Sequence, residues 1–167
     1  MSLPSSGPIS ISQIHNEVGN GSYSLHSLSV AAGKSTPDSM SEFYGWSSTP
    51  ATVYYSNDES SFGGDANLRI YVWDNNGNNI LSEWWVWGTQ SGNLGTDTGI
   101  TFRQGYTIQA YAYNWGASIE HLWVEQNGAI VYTQCASPGA GPYTINVGAG
   151  DTIWIYNLGN SCTFLSI

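Results

Sequence analysis

The side chains able to do chemistry are few in this chain and poorly placed for it. His15, His26 and His121 are scattered between its two halves. No Gly-x-Ser-x-Gly elbow, His-Glu-x-x-His helix, Walker-type glycine loop or Cys-x-x-Cys pair occurs. His121 alternates with Ile119 and Trp123, which reads as a packed or partner-facing histidine rather than a base or ligand. Asp74, Asn76 and Asn78 occupy the first, third and fifth positions of a calcium-loop pattern. The glycine such a loop needs at its sixth position and the bidentate glutamate at its twelfth are missing, so a hairpin turn is the better reading and no metal is expected. Asp58 and Glu59 form an acidic pair, but glycoside hydrolysis needs two carboxyls held about 5–10 Å apart in a cleft, one with a raised pKa. "SNDESS" reads instead as a solvated loop. Neither a catalytic residue nor a cofactor is expected. Cys135 and Cys162 allow one disulfide; geometry decides it, and buried free thiols remain the alternative.

The charge balance removes further classes. Twelve acids face only Lys34, Arg69 and Arg103, for a net charge of −9. Three cations cannot displace the counterions of a nucleic acid, and they would not hold an anionic membrane surface. No apolar stretch approaches the roughly 20 residues of a membrane span. The opening "MSLPSSGPIS" has neither the basic nor the apolar region of a signal peptide. Charged residues make up 9% of the chain, against a usual share of about 25%. Ser, Thr, Asn, Gln and Gly supply the polarity instead, which suits an outward-facing neutral β protein.

What remains is aromatic. Eight Trp and eleven Tyr are in excess for this length, and their flat apolar faces with polar edges suit both sugar C–H faces and protein interfaces. In "NLRIYVWD", Leu68, Ile70 and Val72 share one side, and Arg69, Tyr71 and Trp73 the other. The arginine marks the second side as the wetter one. In "YTIQAYAYN", Ile108, Ala110 and Ala112 oppose Gln109, Tyr111 and Tyr113. "EWWVW" sends Trp85 and Trp87 one way and Trp84 with Val86 the other. Tyr71, Trp73, Tyr111, Tyr113 and Trp115, the last in the loop-like "NWGAS", are thus the candidate glycan or partner contacts. A subunit contact, or a heavy core closed by the N-terminal segment, would use the same residues.

The elements that must position these rings are strands. From Thr49 onward, "TVYYS", "NLRIYVWD", "ILSEWWVW", "YTIQAYAYN", "IEHLWVEQ", "AIVYTQC", "PYTINV" and "DTIWIYN" read as eight strands separated by Gly, Asn, Asp and Ser turns. Asn127-Gly128 is a strong hairpin signal. The fold expected for residues 47–167 is an all-β antiparallel sandwich, immunoglobulin-like or jelly-roll.

Residues 1–46 differ. "ISISQIHNEVGNG" offers Ser12 as N-cap, Ile14 and Val18 one turn apart, and Gly19 as a left-handed stop. "SLHSLSVAAGKS" sets Leu25, Leu28 and Ala32 at helical spacing before Gly33, and "SMSEFYG" reads as a capping box of Ser39 and Glu42 closed by Gly45. Each piece is too short to stand alone in water and must lie on the β-domain or on another protein.

The strings "LPSSGPISISQIHNEVG" and "SLHSLSVAAGKSTPDSMSEFYGWS" carry a resemblance. They are similar to the N-terminal segment of bacteriophage virion proteins, especially the tail-fibre and head-fibre proteins of phages with Bacteroidetes-type hosts. The matching positions are Pro4 to Gly7, Ile9 to Ser12, Ile14, Glu17, Gly19 and Ser41 to Gly45, within roughly the first 46 residues, about a quarter of the chain. The resemblance implies an adaptor at residues 1–46 that binds other virion proteins of capsid or tail, in a homo-oligomeric subunit located on the particle. Ile9, Ile11, Ile14, Val18, Leu25, Leu28, Phe43, Tyr44 and Trp46 would dock, or else cover the base of the β-domain. The sandwich would face outward toward host-surface polysaccharide. The alternatives are a stand-alone carbohydrate-binding module and a small glycan hydrolase.

Overall fold

The computed structural model describes residues 3–19, 21–34, 38–58, 66–74, 76–103, 105–114 and 120–158. Helices α1 (Ile11–Val18) and α2 (Leu25–Ala31) and a 3-10 turn (Met40–Phe43) come first. Strands β1 (Thr52–Asn57), β2 (Ala66–Trp73), β3 (Asn79–Trp87) and β4 (Gln90–Asn93) follow, then a short helix α3 (Leu94–Thr98). Strands β5 (Thr107–Asn114), β6 (Glu120–Gln126), β7 (Ala129–Ala136), β8 (Gly139–Asn146) and β9 (Thr152–Asn157) complete the described chain. No helix among the described residues is long and apolar enough to cross a membrane.

The strands form two sheets, one ordered β4-β1-β9-β6-β7 and the other β3-β2-β5-β8. The fold is the expected all-β sandwich. Pairing is antiparallel throughout except between β1 and β9, which run parallel from Thr52–Thr152 to Asn57–Asn157. Alternation explains the core. Leu68, Ile70, Val72, Ile108, Ala110 and Ala112 point inward from the four-stranded sheet, and Val53, Leu122, Val124, Ile153 and Ile155 from the other. Each fully buried aliphatic side chain stabilises the fold by about 1.5–3 kcal/mol relative to exposure. Asn127 (φ 55°) and Gly128 (φ 77°) make the β6–β7 turn, whose left-handed backbone Asn and Gly tolerate best.

One end of the core is polar. Asn57, Asn67 and Asn157 are fully buried. Asn157 Nδ2 donates to Asn57 Oδ1 at 2.9 Å, and Asn57 Nδ2 donates to the Gly88 carbonyl at 2.7 Å. These bonds fasten the β1–β9 pair to the loop between β3 and β4.

Asp74 is turned onto its own loop, as a hairpin turn requires. Asp74 Oδ1 accepts from the amides of Asn76 and Asn78, and Oδ2 from Asn78 Nδ2. Those bonds, led by the Asn78 side chain, hold the carboxyl below its ordinary range. Asp58 lies at the end of β1, while Glu59 lies outside the described residues.

The N-terminal segment departs from expectation in instructive ways. Ser10, not Ser12, caps α1: its hydroxyl accepts from the Gln13 amide while the Gln13 side chain accepts from the Ser10 amide. Ser12 lies inside the helix because the box needs a Gln or Glu three residues on, and Gln13 supplies it to Ser10. The predicted Ser39–Glu42 box does not form. Ser39 accepts from Ser41 N instead, giving a 3-10 turn, and Glu42 sits in the field of Lys34.

The short helices lie on one another. Leu3, Ile14, Leu28, Ala32, Phe43 and Trp46 form a core separate from that of the sandwich. Two backbone bonds close it, from Leu3 N to the Trp46 carbonyl (2.8 Å) and from Gly45 N to the Pro4 carbonyl (2.9 Å). The first and last residues of the segment are therefore stitched together, and a miniature folded unit results.

Candidate functional site: an aromatic face on the four-stranded sheet

Strand parity sends Arg69, Tyr71 and Trp73 of β2, Tyr111 and Tyr113 of β5, and Trp85 and Trp87 of β3 to the outer face of one sheet. Arg69 lies opposite Trp85 on one side and Tyr111 on the other. Its guanidinium carbon sits 3.6 Å from the Trp85 ring centroid and 4.9 Å from that of Tyr113. A guanidinium is weakly hydrated and planar, so it tolerates such a slot better than an ammonium would. Trp85 and Trp87 stack at 5.0 Å with planes 4° apart, and Trp87 is 45% exposed. Tyr71 stacks on Trp73 at 6.2 Å and meets Tyr111 edge-on at 5.6 Å.

Glu83 completes the polar edge. Tyr71 Oη donates to Glu83 Oε1 at 2.9 Å, and Arg69 Nη1 stands 3.7 Å from the same oxygen, an ion pair beyond hydrogen-bond reach. Partial burial, then the bond and charge of Glu83, push the Tyr71 phenol above its ordinary pKa. It therefore stays a neutral donor across physiological pH. Beside Arg69, a cavity of about 190 Å³ is lined by Tyr111, Tyr113 and the β8 backbone around Gly139 and Gly141. Those glycines have a local reason. A Cβ at Gly139 would lie 2.7 Å from the Ala112 carbonyl oxygen, and one at Gly141 2.8 Å from that of Ala110.

Of the residues singled out in the sequence, Tyr71, Trp73, Tyr111 and Tyr113 come together on this face. Trp115 lies outside the described residues. Sequence reasoning gave the faces of Arg69, Trp85 and Trp87 but did not join them to the site. The signal was the shared parity of β2 and β3, which becomes usable once their register is known. Cys135, on β7, is disulfide-bonded, and Cys162 lies outside the described residues. His121 is buried, its Nε2 2.7 Å from Thr133 Oγ1.

The nine apolar docking candidates take different places. Ile14, Leu28, Phe43 and Trp46 are buried in the miniature core, and Ile9, Ile11, Val18 and Leu25 pack around it. Tyr44 remains exposed, its Oη donating to the Gly7 carbonyl at 2.7 Å. The large apolar residues this unit does present are Tyr23 and Val30, about 60% exposed (61% and 60%), neither of which stood out in the sequence. Neither group covers the β-domain's core. Among the described residues a polar contact ties the unit to the stretch that leads into β1: Glu17 Oε1 accepts from Ser48 N (3.2 Å) and Ser48 Oγ (3.0 Å). Burial raises the Glu17 carboxyl pKa, but its polar interactions, the Ser48 bonds first among them, leave the group below its ordinary value.

No family model and no curated protein matches the chain. Solved structures similar to it include the major pilin (T-13) of Streptococcus pyogenes, at TM-score 0.41 and 8% identity over 65% of this chain and 45% of that one. Another major pilin of Streptococcus pyogenes matches at TM-score 0.25 and 9% identity, over 65% of this chain and 47% of that one. The chain thus spans about half the length of these pilins.

Proposed function

We propose that this protein is a structural subunit of a phage particle, a fibre, spike or head decoration. Its N-terminal unit docks on capsid or tail protein, and its sandwich faces outward with the aromatic face toward host-surface polysaccharide. The observation that carries this reading is the division of the chain into two cores. A small closed unit that shares no buried residue with the sandwich is built like a plug. Because Ile14, Leu28, Phe43 and Trp46 are consumed inside the plug, its docking surface is formed by Val30, Tyr23 and Tyr44. Homo-oligomerisation and location on the virion belong to the same proposal.

The aromatic face independently favours a second reading, a carbohydrate-binding module that works without a particle. Stacked, half-exposed rings with a guanidinium and a tyrosine hydroxyl at their edge supply the ring faces and donors that a neutral or acidic sugar requires. A Val30→Asp variant separates the two. Under the particle reading it stays folded and binds polysaccharide but no longer joins phage particles. Normal incorporation of that variant would remove the docking surface. Trp87→Ala tests the glycan half: it should weaken polysaccharide binding at an unchanged melting temperature, and an unchanged affinity would remove this face as the site.

A further inference from the structure

The opposite sheet carries a second aromatic row that the site above does not include. Tyr54 of β1, Trp154 and Tyr156 of β9 and Trp123 of β6 lie side by side on its outer face, with Tyr54 opposite Trp154 and Tyr156 opposite Trp123. Tyr54 and Trp154 stack at 4.3 Å, and Trp154 and Tyr156 at 5.5 Å with planes 6° apart. The row then turns a corner. Trp123 meets Tyr156 at 6.4 Å with the rings 71° apart. Within that corner lies a cavity of about 190 Å³, lined by Trp123, Tyr156, Leu158 and Glu125.

The chemistry of this corner differs from that of the aromatic face on the other sheet. The Arg69 face offers stacked rings beside a guanidinium, whereas here two rings set 71° apart and a carboxylate line one small cavity. The cavity is also below the roughly 300–1,000 Å³ of ordinary ligand sites, so it suits a headgroup and not an oligosaccharide. Its lining brings one carboxylate and no basic side chain. Lys34 lies in the N-terminal unit, Arg69 on the other sheet and Arg103 before β5. His121, whose ring is 5.9 Å from Trp123, is buried with Nε2 against Thr133 Oγ1. Burial and the nearby Glu125 charge push the Tyr156 phenol up, which places that carboxylate's field in the corner and keeps the ring neutral. Aromatic faces around a carboxylate are the arrangement that holds a cation too large and too weakly hydrated to demand hydrogen bonds.

We propose that the Trp123–Tyr156 corner, with Glu125, is a binding site for a quaternary ammonium group of the choline type. The stacked Trp154 and Tyr54 brace Tyr156 so that the corner is formed before the cation arrives, which lowers the ordering cost of binding.

The test is a calorimetric and ligand-observed NMR titration of the full chain with choline. It is compared with 3,3-dimethylbutan-1-ol, which has the same shape without the charge. Choline should bind saturably and about 5- to 30-fold more tightly than the alcohol, the range a desolvated cation–π site produces. Glu125→Gln should lose about fivefold or more of choline affinity while leaving the alcohol and the melting temperature unchanged. Phosphocholine binding as well as choline would assign the group to an esterified headgroup, and choline alone to a free cation; either supports the site. Equal affinity for choline and the alcohol would overturn the proposal and leave an apolar notch. So would the absence of saturable choline binding, or indifference to Glu125→Gln.

Discussion

Replacing Trp46 by alanine should unfold one part of this protein and spare the other. Trp46 is 2% exposed and packs edge-on against Phe43 at 6.4 Å. Truncating a buried Trp or Phe to Ala costs about 3–5 kcal/mol. The unit it anchors spans residues 3 to 46, close to the ~40 residues below which a chain seldom folds without help, and a core of that size supplies at most about 3–5 kcal/mol. The loss therefore equals or exceeds what the unit has, so Trp46→Ala should leave residues 3–46 largely unfolded at 25 °C. The sandwich core begins at Ala51 and shares none of those side chains. Hydrogen exchange read by NMR is the assay. The amides of Gly19 and Ala32, which donate to His15 and Leu28 carbonyls, should lose protection, while those of β1, β6 and β9 keep it. Loss of protection in the strands as well would refute the two-core account, because the chain would then unfold as one cooperative body. Retained protection at Gly19 and Ala32 would refute the estimate of the unit's stability.

Other consequences are as specific. Tyr55 is 6% exposed and its Oη donates to Asp97 Oδ2 at 2.7 Å; burial first, then this bond and charge, push its pKa up to about 12 from an unfolded value of 10.0. A raised folded pKa stabilises below the unfolded value, so stability should fall between about pH 10 and 12. In denaturant titrations Tyr55→Phe should show less of that alkaline loss; an identical profile would place the titration elsewhere. Gly92 reaches the same contact from the backbone, since a Cβ there would overlap Asp97 Oδ2 and lie 2.7 Å from Tyr55 Oη. Gly92→Ala should therefore displace α3 and raise the ultraviolet signal for Tyr55 ionisation at lower pH. Asn57→Ala removes a donor to Gly88 and an acceptor for Asn157 inside the core, and should cost about 1–3 kcal/mol in urea unfolding. A change within about 0.5 kcal/mol would mean the asparagine cluster holds nothing together.

Strand alternation made the inner and outer faces of β2, β3 and β5 legible in the sequence, because successive side chains point to opposite faces and the aliphatic set of Leu68, Ile70 and Val72 alternates with Arg69, Tyr71 and Trp73. The Asn127-Gly128 turn was legible because its positive φ angles demand those residues. The parallel β1–β9 pairing was not, since it joins segments about a hundred residues apart and local pattern carries no information about it. Strand β4 escaped because "QSGN" has no apolar alternation and is held at the edge of the sheet by β1 alone. The second aromatic row escaped for the same reason as the Arg69 slot. Tyr54, Trp123 and Trp154 sit on three strands remote in sequence, and only register makes them neighbours. The N-terminal pieces misled in a different way. Their apolar stripes were read correctly as faces needing cover, but the cover is supplied by the other pieces and by Leu3, a residue with no periodic signal of its own.

We propose that residues 3–46 form a plug that holds the sandwich on a phage particle. Cryo-electron microscopy of purified particles, with mass spectrometry of their proteins, tests it most directly. On that proposal the chain should be present, with Val30, Tyr23 and Tyr44 against a capsid or tail protein and the sandwich pointing outward. A particle that lacks the chain, or carries it seated through the sandwich with the N-terminal unit free, would contradict it.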